Sequence, residues 1–198
     1  WNALGLRLSA SGSVTFANAF VPETDVLGPN EQADPGAPAF ATLHVLAFQA
    51  MLSQLHVGIA EGALAAGAEY TRTRSRAWAT AGVADAVQDP LVRMRYGELD
   101  ARLRAAAALT DRAVAAVGRG WELTGEERAA VGVAVAAAKV VSTGAVLDVT
   151  STVFELTGAR ATTAGTGLDR YWRDARTLTL HDPVAHKAVE VGDRLLTG

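Results

Sequence analysis

The chain has no cysteine among its 198 residues. That absence excludes a disulfide framework, a thiolate metal site and a cysteine nucleophile together, and it fits a reducing cytoplasm. A surplus of positive charge is also missing: 18 Lys and Arg stand against 21 Asp and Glu, so there is no basic field to hold nucleic acid. The most apolar run, Ala129 to Val141, carries Lys139 near its end and is shorter than the roughly 20 residues a bilayer span needs. It reads as a buried helix segment, not a membrane anchor. No glycine-rich dinucleotide fingerprint and no P-loop occur. The four histidines include no pair with metal-site spacing and carboxylate company. No initiator Met or signal peptide opens the chain, and Trp1 stands in what looks like a strand pattern, so a preceding part of the natural protein is expected.

What is present is enough apolar surface for a sizeable core, with 49% hydrophobic residues. Between Ser11 and Pro22, Val14, Phe16 and Phe20 alternate with Ser13, Thr15, Ala17, Ala19 and Val21, which predicts a strand ended by Pro22, with its pairing partners mostly absent from this chain. Pro29, Pro35 and Pro38, with Asn30, Asp34 and Gly36, are loop chemistry and the expected domain boundary. The period then becomes helical. A helix from Ala39 to about Arg74 is expected to turn Leu43, Leu46, Ala47, Ala50, Met51, Gln54, Leu55, Gly58 and Ile59 inward. Gly58, Gly62 and Gly67 in it suggest close approach of a neighbouring helix. After a loop over 79–89, Pro90 opens a second helix, about Leu91 to Val117, with Leu99, Leu103, Ala106, Ala107 and Thr110 inward. Thr124 and Glu127 have capping-box spacing before a third helix to about Leu156, apolar almost all round and therefore expected at the centre. Two shorter helices, about Leu168 to Ala175 and Val184 to Leu196, finish the chain. The fold class is mainly α, an antiparallel helical bundle.

Chemistry concentrates in a few places. His44 and His56 fall within the first helix and His186 on the last, where a histidine has ordinary structural uses. His181 differs, because it precedes Asp182-Pro183, and proline disfavours helix in the residue before it. A histidine presented at such a break can exchange protons near neutral pH, and from spacing alone a structural role stands equally open. Arg72, Arg74 and Arg76, between Tyr70 and Trp78, suit a phosphate or a solvated helix C-terminus. Arg170, Arg173 and Arg176 can pair with Asp169 and Asp174. The loop from Thr157 through Arg160 to Gly167 is rich in small residues and open to a ligand.

The stretches Ser11-Gly-Ser-Val-Thr-Phe16, Val21-Pro22, Val26-Leu27-Gly28, Tyr70 through Trp78, Asp89-Pro90, Leu156-Thr-Gly-Ala159 and above all Leu168 through Arg176 to His181-Asp-Pro183 resemble the acyl-CoA dehydrogenase superfamily. Within it they resemble the flavin-dependent monooxygenase branch typified by dibenzothiophene monooxygenase. The resemblance implies residues 1–29 as the end of a middle β domain, residues 30–198 as a C-terminal four-helix bundle, and a missing N-terminal helical domain. The dehydrogenases of the family carry a catalytic Glu, usually followed by Gly, where this chain has Asp182-Pro183. The monooxygenase branch resembles the His-Asp/Asn-Pro arrangement instead.

By that resemblance the cofactor is reduced FMN or FAD supplied by a separate flavin reductase, forming a C4a-hydroperoxide that oxygenates a small organic substrate. It implies homotetramers with shared flavin sites, and no role for nucleic acid or membrane. His181 is the expected residue near the flavin, as proton donor or hydrogen-bond partner, with Asp182 orienting it or touching the flavin. Arg74 is the candidate for the flavin phosphate, of its own or of a neighbouring subunit, while Ser11, Ser13 and Trp1 are candidate flavin contacts. Members of the branch act on aromatic sulfur compounds, phenols, steroids and amino sugars. Two other readings remain open: an acyl-CoA dehydrogenase or oxidase with a carboxylate elsewhere, and a helical module that only mediates oligomerisation.

Overall fold

Five helices account for most of the chain: α1 (Ala39–Arg74), α2 (Pro90–Gly120), α3 (Gly125–Thr157), α4 (Asp169–Leu178) and α5 (Val184–Thr197). The computed structural model describes residues 1–26, 39–121 and 123–198. The expected proline-rich boundary, Pro29 to Pro38, lies outside the described residues, as do Leu27 and Gly28.

Two apolar clusters fix how the long helices run. One joins Leu43 and Ala50 of α1 to Ala113 and Val117 of α2 and to Val131 and Val135 of α3. The other joins Val57 and Ala63 to Leu99 and Leu103 and to Val146 and Val153. As residue number rises along α1 it falls along α2 and rises along α3, so α2 runs antiparallel to both. The fourth position is filled by α4 and α5 in series. Tyr171 of α4 packs at Gly62, where an added Cβ would lie 2.9 Å from its ring. His181, just after α4, reaches Phe48, and Arg194 near the end of α5 pairs with Glu126 at the start of α3. The pair therefore descends beside α1 and α3 with a break midway at His181-Asp182-Pro183.

α3 packs against α1, α2, α4 and α5, which explains why it is apolar nearly all round. α1 and α3 are each long and apolar enough to cross a membrane by length and composition, although the sequence suggested a run too short to do so. Their inward residues meet other helices in this bundle.

α2 turns inward the face its period predicts, with Leu99, Leu103, Ala106 and Thr110 buried. α1 is rotated from expectation. Met51 and Leu55 are exposed, while Leu52, Ser53, His56 and Val57 are buried, because a helix apolar on most sides carries little information about which side meets the core. Of the three glycines, Gly62 and Gly67 do lie against neighbours, the latter 3.1 Å from Val153 by the same measure, whereas Gly58 faces open space.

Two local expectations fail. Thr124 occupies the N-cap of α3 without a side-chain capping bond. Gly125, at φ +51, bends the first turn, and the Arg128 guanidinium reaches back to the Leu123 carbonyl. The expected strand between Ser11 and Pro22 forms no ladder, and the segment is exposed throughout. A strand needs edge-on hydrogen-bond partners, and no described residue supplies them. What does hold the N-terminal segment is α4. Gly5 N donates to Thr177 Oγ1 at 2.9 Å, Leu6 N to Asp174 Oδ1 at 2.7 Å, and Arg173 Nη1 to the Leu4 carbonyl at 3.1 Å. Any side chain at position 5 would collide with the Arg173 carbonyl, 2.1 Å from a Cβ placed there.

Candidate functional site

The break between α4 and α5 is built by its own residues. The amides of Leu180 and His181 close the last turn onto Thr177 and Leu178 carbonyls. Asp182, barred from the right-handed helical region by Pro183, takes φ +60. Aspartate tolerates that left-handed conformation better than most residues, at about 1–2 kcal/mol. The result turns the His181 ring outward, half exposed, with its Nδ1 3.4 Å from Asp182 Oδ2.

α1 and α3 complete the site. The Phe48 ring stands 5.3 Å from the His181 ring, centre to centre and tilted. Gln49 Nε2 lies 3.4 Å from Asp182 Oδ2. Lys139, wholly buried, donates from Nζ to the His181 carbonyl at 2.9 Å. Burial pulls its ammonium below the ordinary lysine value, the Asp182 carboxylate opposes that pull, and Lys187 adds to it.

Behind Lys139, His56 is also fully buried, with Nδ1 3.0 Å from Ser142 Oγ. Desolvation first, and the Lys139 charge second, push its pKa from 6.5 down to about 4. An unfolded chain therefore binds a proton at His56 that the folded chain refuses between these values, so the stability present above pH 6.5 is lost as pH falls toward 4. The loss is on the order of 3 kcal/mol. Urea unfolding at pH 7 and pH 4.5 checks it: the drop is expected to shrink by about that amount in His56→Gln, and an equal drop in both proteins contradicts the assignment.

An arginine-bearing region lies at the other end of α1. A cleft of about 500 Å³ is lined by Tyr70, Arg74, Arg76, Trp78 and Arg160, with Asp89 and Glu155. Arg74 leans over the Tyr70 ring at 5.7 Å, and Ser75 Oγ reaches the Thr157 carbonyl, joining the helix end to the small-residue loop. Its guanidinium groups supply the forked donors that a phosphate needs, so the residues present fit the phosphate end of a flavin nucleotide. Asp89 is held as the cap of α2, accepting from Leu91 N.

Of the sequence-predicted site residues, His181 and Asp182 come together and Arg74 does not join them. At a rise of roughly 1.5 Å per residue, Arg74 stands about 38 Å along α1 from Gln49, well beyond the length of one flavin mononucleotide. Trp1 donates its indole N–H to the Leu6 carbonyl. Ser11 Oγ meets Ser9 Oγ at 2.8 Å, and Ser13 is exposed. Of the three α4 arginines, Arg173 pairs with Asp169, Arg170 lies over Tyr171, and Asp174 serves the Leu6 amide instead. Three residues of the His181 site were not legible as such, Phe48, Gln49 and Lys139. For Lys139 a signal existed, since it is the lone charge in the run from Ala129 to Val141.

Residues 50–186 match the family model described as acyl-CoA dehydrogenase, C-terminal domain. The chain is 42% identical, over 99% of its length, to the dibenzothiophene monooxygenase of Mycolicibacterium goodii. It is 38% identical, over 98% of its length, to the probable FMNH2-dependent monooxygenase SfnC of Pseudomonas putida. It spans about half the length of these curated relatives, 49% in each case. The solved structure of FMN-bound TdsC from Paenibacillus sp. A11-2 superposes with a TM-score of 0.93 at 42% identity, covering 100% of this chain and 51% of that one.

Proposed function

Since the chain belongs to the acyl-CoA dehydrogenase family through its C-terminal domain, we propose that it forms the helical part of a flavin-dependent monooxygenase rather than of a dehydrogenase. The reduced flavin, FMN by similarity to the relatives, is delivered by a separate reductase and, through its C4a-hydroperoxide, supplies one oxygen atom to a small organic substrate. The observation that carries the reading is the His181-Asp182-Pro183 break. Where the dehydrogenases are expected to hold a free catalytic Glu, the carboxylate here lies beside Gln49 Nε2 and the His181 ring. What faces outward is an imidazole.

In this reading His181 holds or donates a proton at the reacting end of the flavin, and Asp182 orients the ring. Phe48 walls one side of it and excludes water. Arg74, with Arg76 and Arg160 beside it, takes the phosphate. Because the two regions are separated along the whole upper part of α1, the flavin served by Arg74 belongs to a second copy of the chain, which supports a homo-oligomer with shared sites. Ser11, Ser13 and Trp1 are assigned to flavin contacts from the segment that α4 clamps. The competing dehydrogenase reading is tested by adding acyl-CoA to the full-length protein with oxidised flavin bound. No bleaching of the flavin is expected, and bleaching with an electron acceptor restoring colour contradicts the proposal.

A further inference from the structure

We propose that Lys139 is the positioning residue of the His181-Asp182 turn: its buried ammonium holds the His181 peptide in the one geometry from which the imidazole can act. The inference rests on the reading of His181 given above.

Three observations carry it. First, Lys139 lies in a stretch of alanines and valines and is wholly buried. An ammonium there is costly unless it is bonded and charge-compensated, and an apolar side chain of similar volume would serve the core at least as well. Bundle packing therefore gives no reason for a lysine at this position. Second, both compensations come from the turn. The His181 carbonyl accepts from Nζ at 2.9 Å, and the Asp182 carboxylate stabilises the charge.

Third, the turn needs a tether. Asp182 sits at φ +60, a conformation that persists only where its surroundings over-determine it. The two side-chain contacts to its carboxylate, from Gln49 and from His181, are both long at 3.4 Å. The lysine bond is the short, charge-assisted one. It spans from the central helix α3 to the break, so it fixes His181 relative to the helix that packs against the four others. Next to it, His56 bonded to Ser142 stays neutral above pH about 4, leaving Lys139 as the cation that the turn faces from inside.

The test is Lys139→Met in the full-length protein. In the flavin-free protein, amide exchange at Leu180 and His181 is expected to speed up by about tenfold or more. With reduced FMN and substrate, product formed per dioxygen consumed is expected to fall by about tenfold or more. The thermal midpoint should fall, because the His181 carbonyl and the Asp182 carboxylate lose their cation, so the role is read from local exchange and product yield at a temperature where the variant is fully folded. Lys139→Met combined with His181→Ala should be no worse in product yield than His181→Ala alone, since the lysine acts through the histidine.

Parental amide exchange and yield in Lys139→Met, or two losses that multiply in the double variant, overturn the proposal. If Lys139→Met does not fold, Lys139→Gln, a neutral and shorter donor, carries the same comparison with the same expected losses, and parental values in it overturn the proposal equally. The two readings fail separately. Full yield in His181→Ala refutes the role of His181 and leaves the exchange measurement to judge the tether, whereas loss in His181→Ala with none in Lys139→Met refutes only the tether.

Discussion

His181→Ala is expected to lower the yield of oxygenated product per dioxygen consumed by about 10²–10⁴-fold, the range over which a positioned proton donor acts. Dioxygen consumption itself should continue, with the missing product appearing as hydrogen peroxide. Stability should change by no more than about 0.5 kcal/mol, because the ring is half exposed and touches mainly Phe48 and the Asp182 carboxylate. The two outcomes together matter: a folded protein that uncouples identifies a chemical role, while one that merely unfolds identifies a packing role. His181→Gln, which keeps a hydrogen-bond donor without a titrating group, separates proton donation from simple hydrogen bonding. Peroxide and product are measured in the same reaction, and an unchanged ratio in His181→Ala removes the residue from the mechanism.

The second large effect is expected at the far end of α1. Arg74→Ala should weaken flavin mononucleotide binding by about 10–100-fold, since a hydrogen bond to a charged group is worth roughly 1.5–3 kcal/mol. Arg74→Lys should recover part of this, as a point charge without the fork that matches phosphate. Riboflavin, which lacks the phosphate, should bind the parent and Arg74→Ala equally. The exposed guanidinium rests only on the Tyr70 ring among its described contacts, so the helix end itself should be undisturbed. Equilibrium titration of flavin fluorescence reads all three, and an Arg74→Ala affinity equal to the parent's rules out the phosphate role.

The parts legible in the sequence were those written locally. Pro90 at the start of α2, the period of α2 and the Pro183 break each act within a few residues, and each appears where expected. The face that α1 buries was not legible, because Met51 and Leu55 are as apolar as Leu52 and Val57, and only the positions of the other helices distinguish them. Thr124 illustrates a different failure. Its spacing to Glu127 satisfies the capping-box pattern, but the positive φ of Gly125 redirects the first turn. The stretch from Ser11 to Pro22 has strand alternation without a described partner, and alternation alone does not make a strand.

The candidate site divides in the same way. His181 and Asp182 declared themselves through proline chemistry, and the arginines through their clustering. Gln49 and Lys139 could not be connected to them, since both reach the turn across more than forty residues of chain, by 133 and 42 positions respectively. A glutamine on a helix has no distinguishing pattern. A lysine in an apolar helix does, and its bond to the His181 carbonyl ties the exception to the turn. The α4 stretch of arginines, aspartates and threonine is used to clamp residues 4–6, a structural task that its composition did not distinguish from ligand binding.

Monooxygenase activity is read by incubating the full-length protein with reduced FMN, isotopically heavy dioxygen and a panel of aromatic sulfur compounds, phenols and related small molecules, followed by mass spectrometry of the organic products. At least one compound is expected to gain a single heavy oxygen atom, and His181→Ala is expected to abolish the gain while dioxygen is still consumed. Heavy oxygen found only in peroxide with every substrate, in a protein that binds reduced FMN normally, would contradict the monooxygenase assignment.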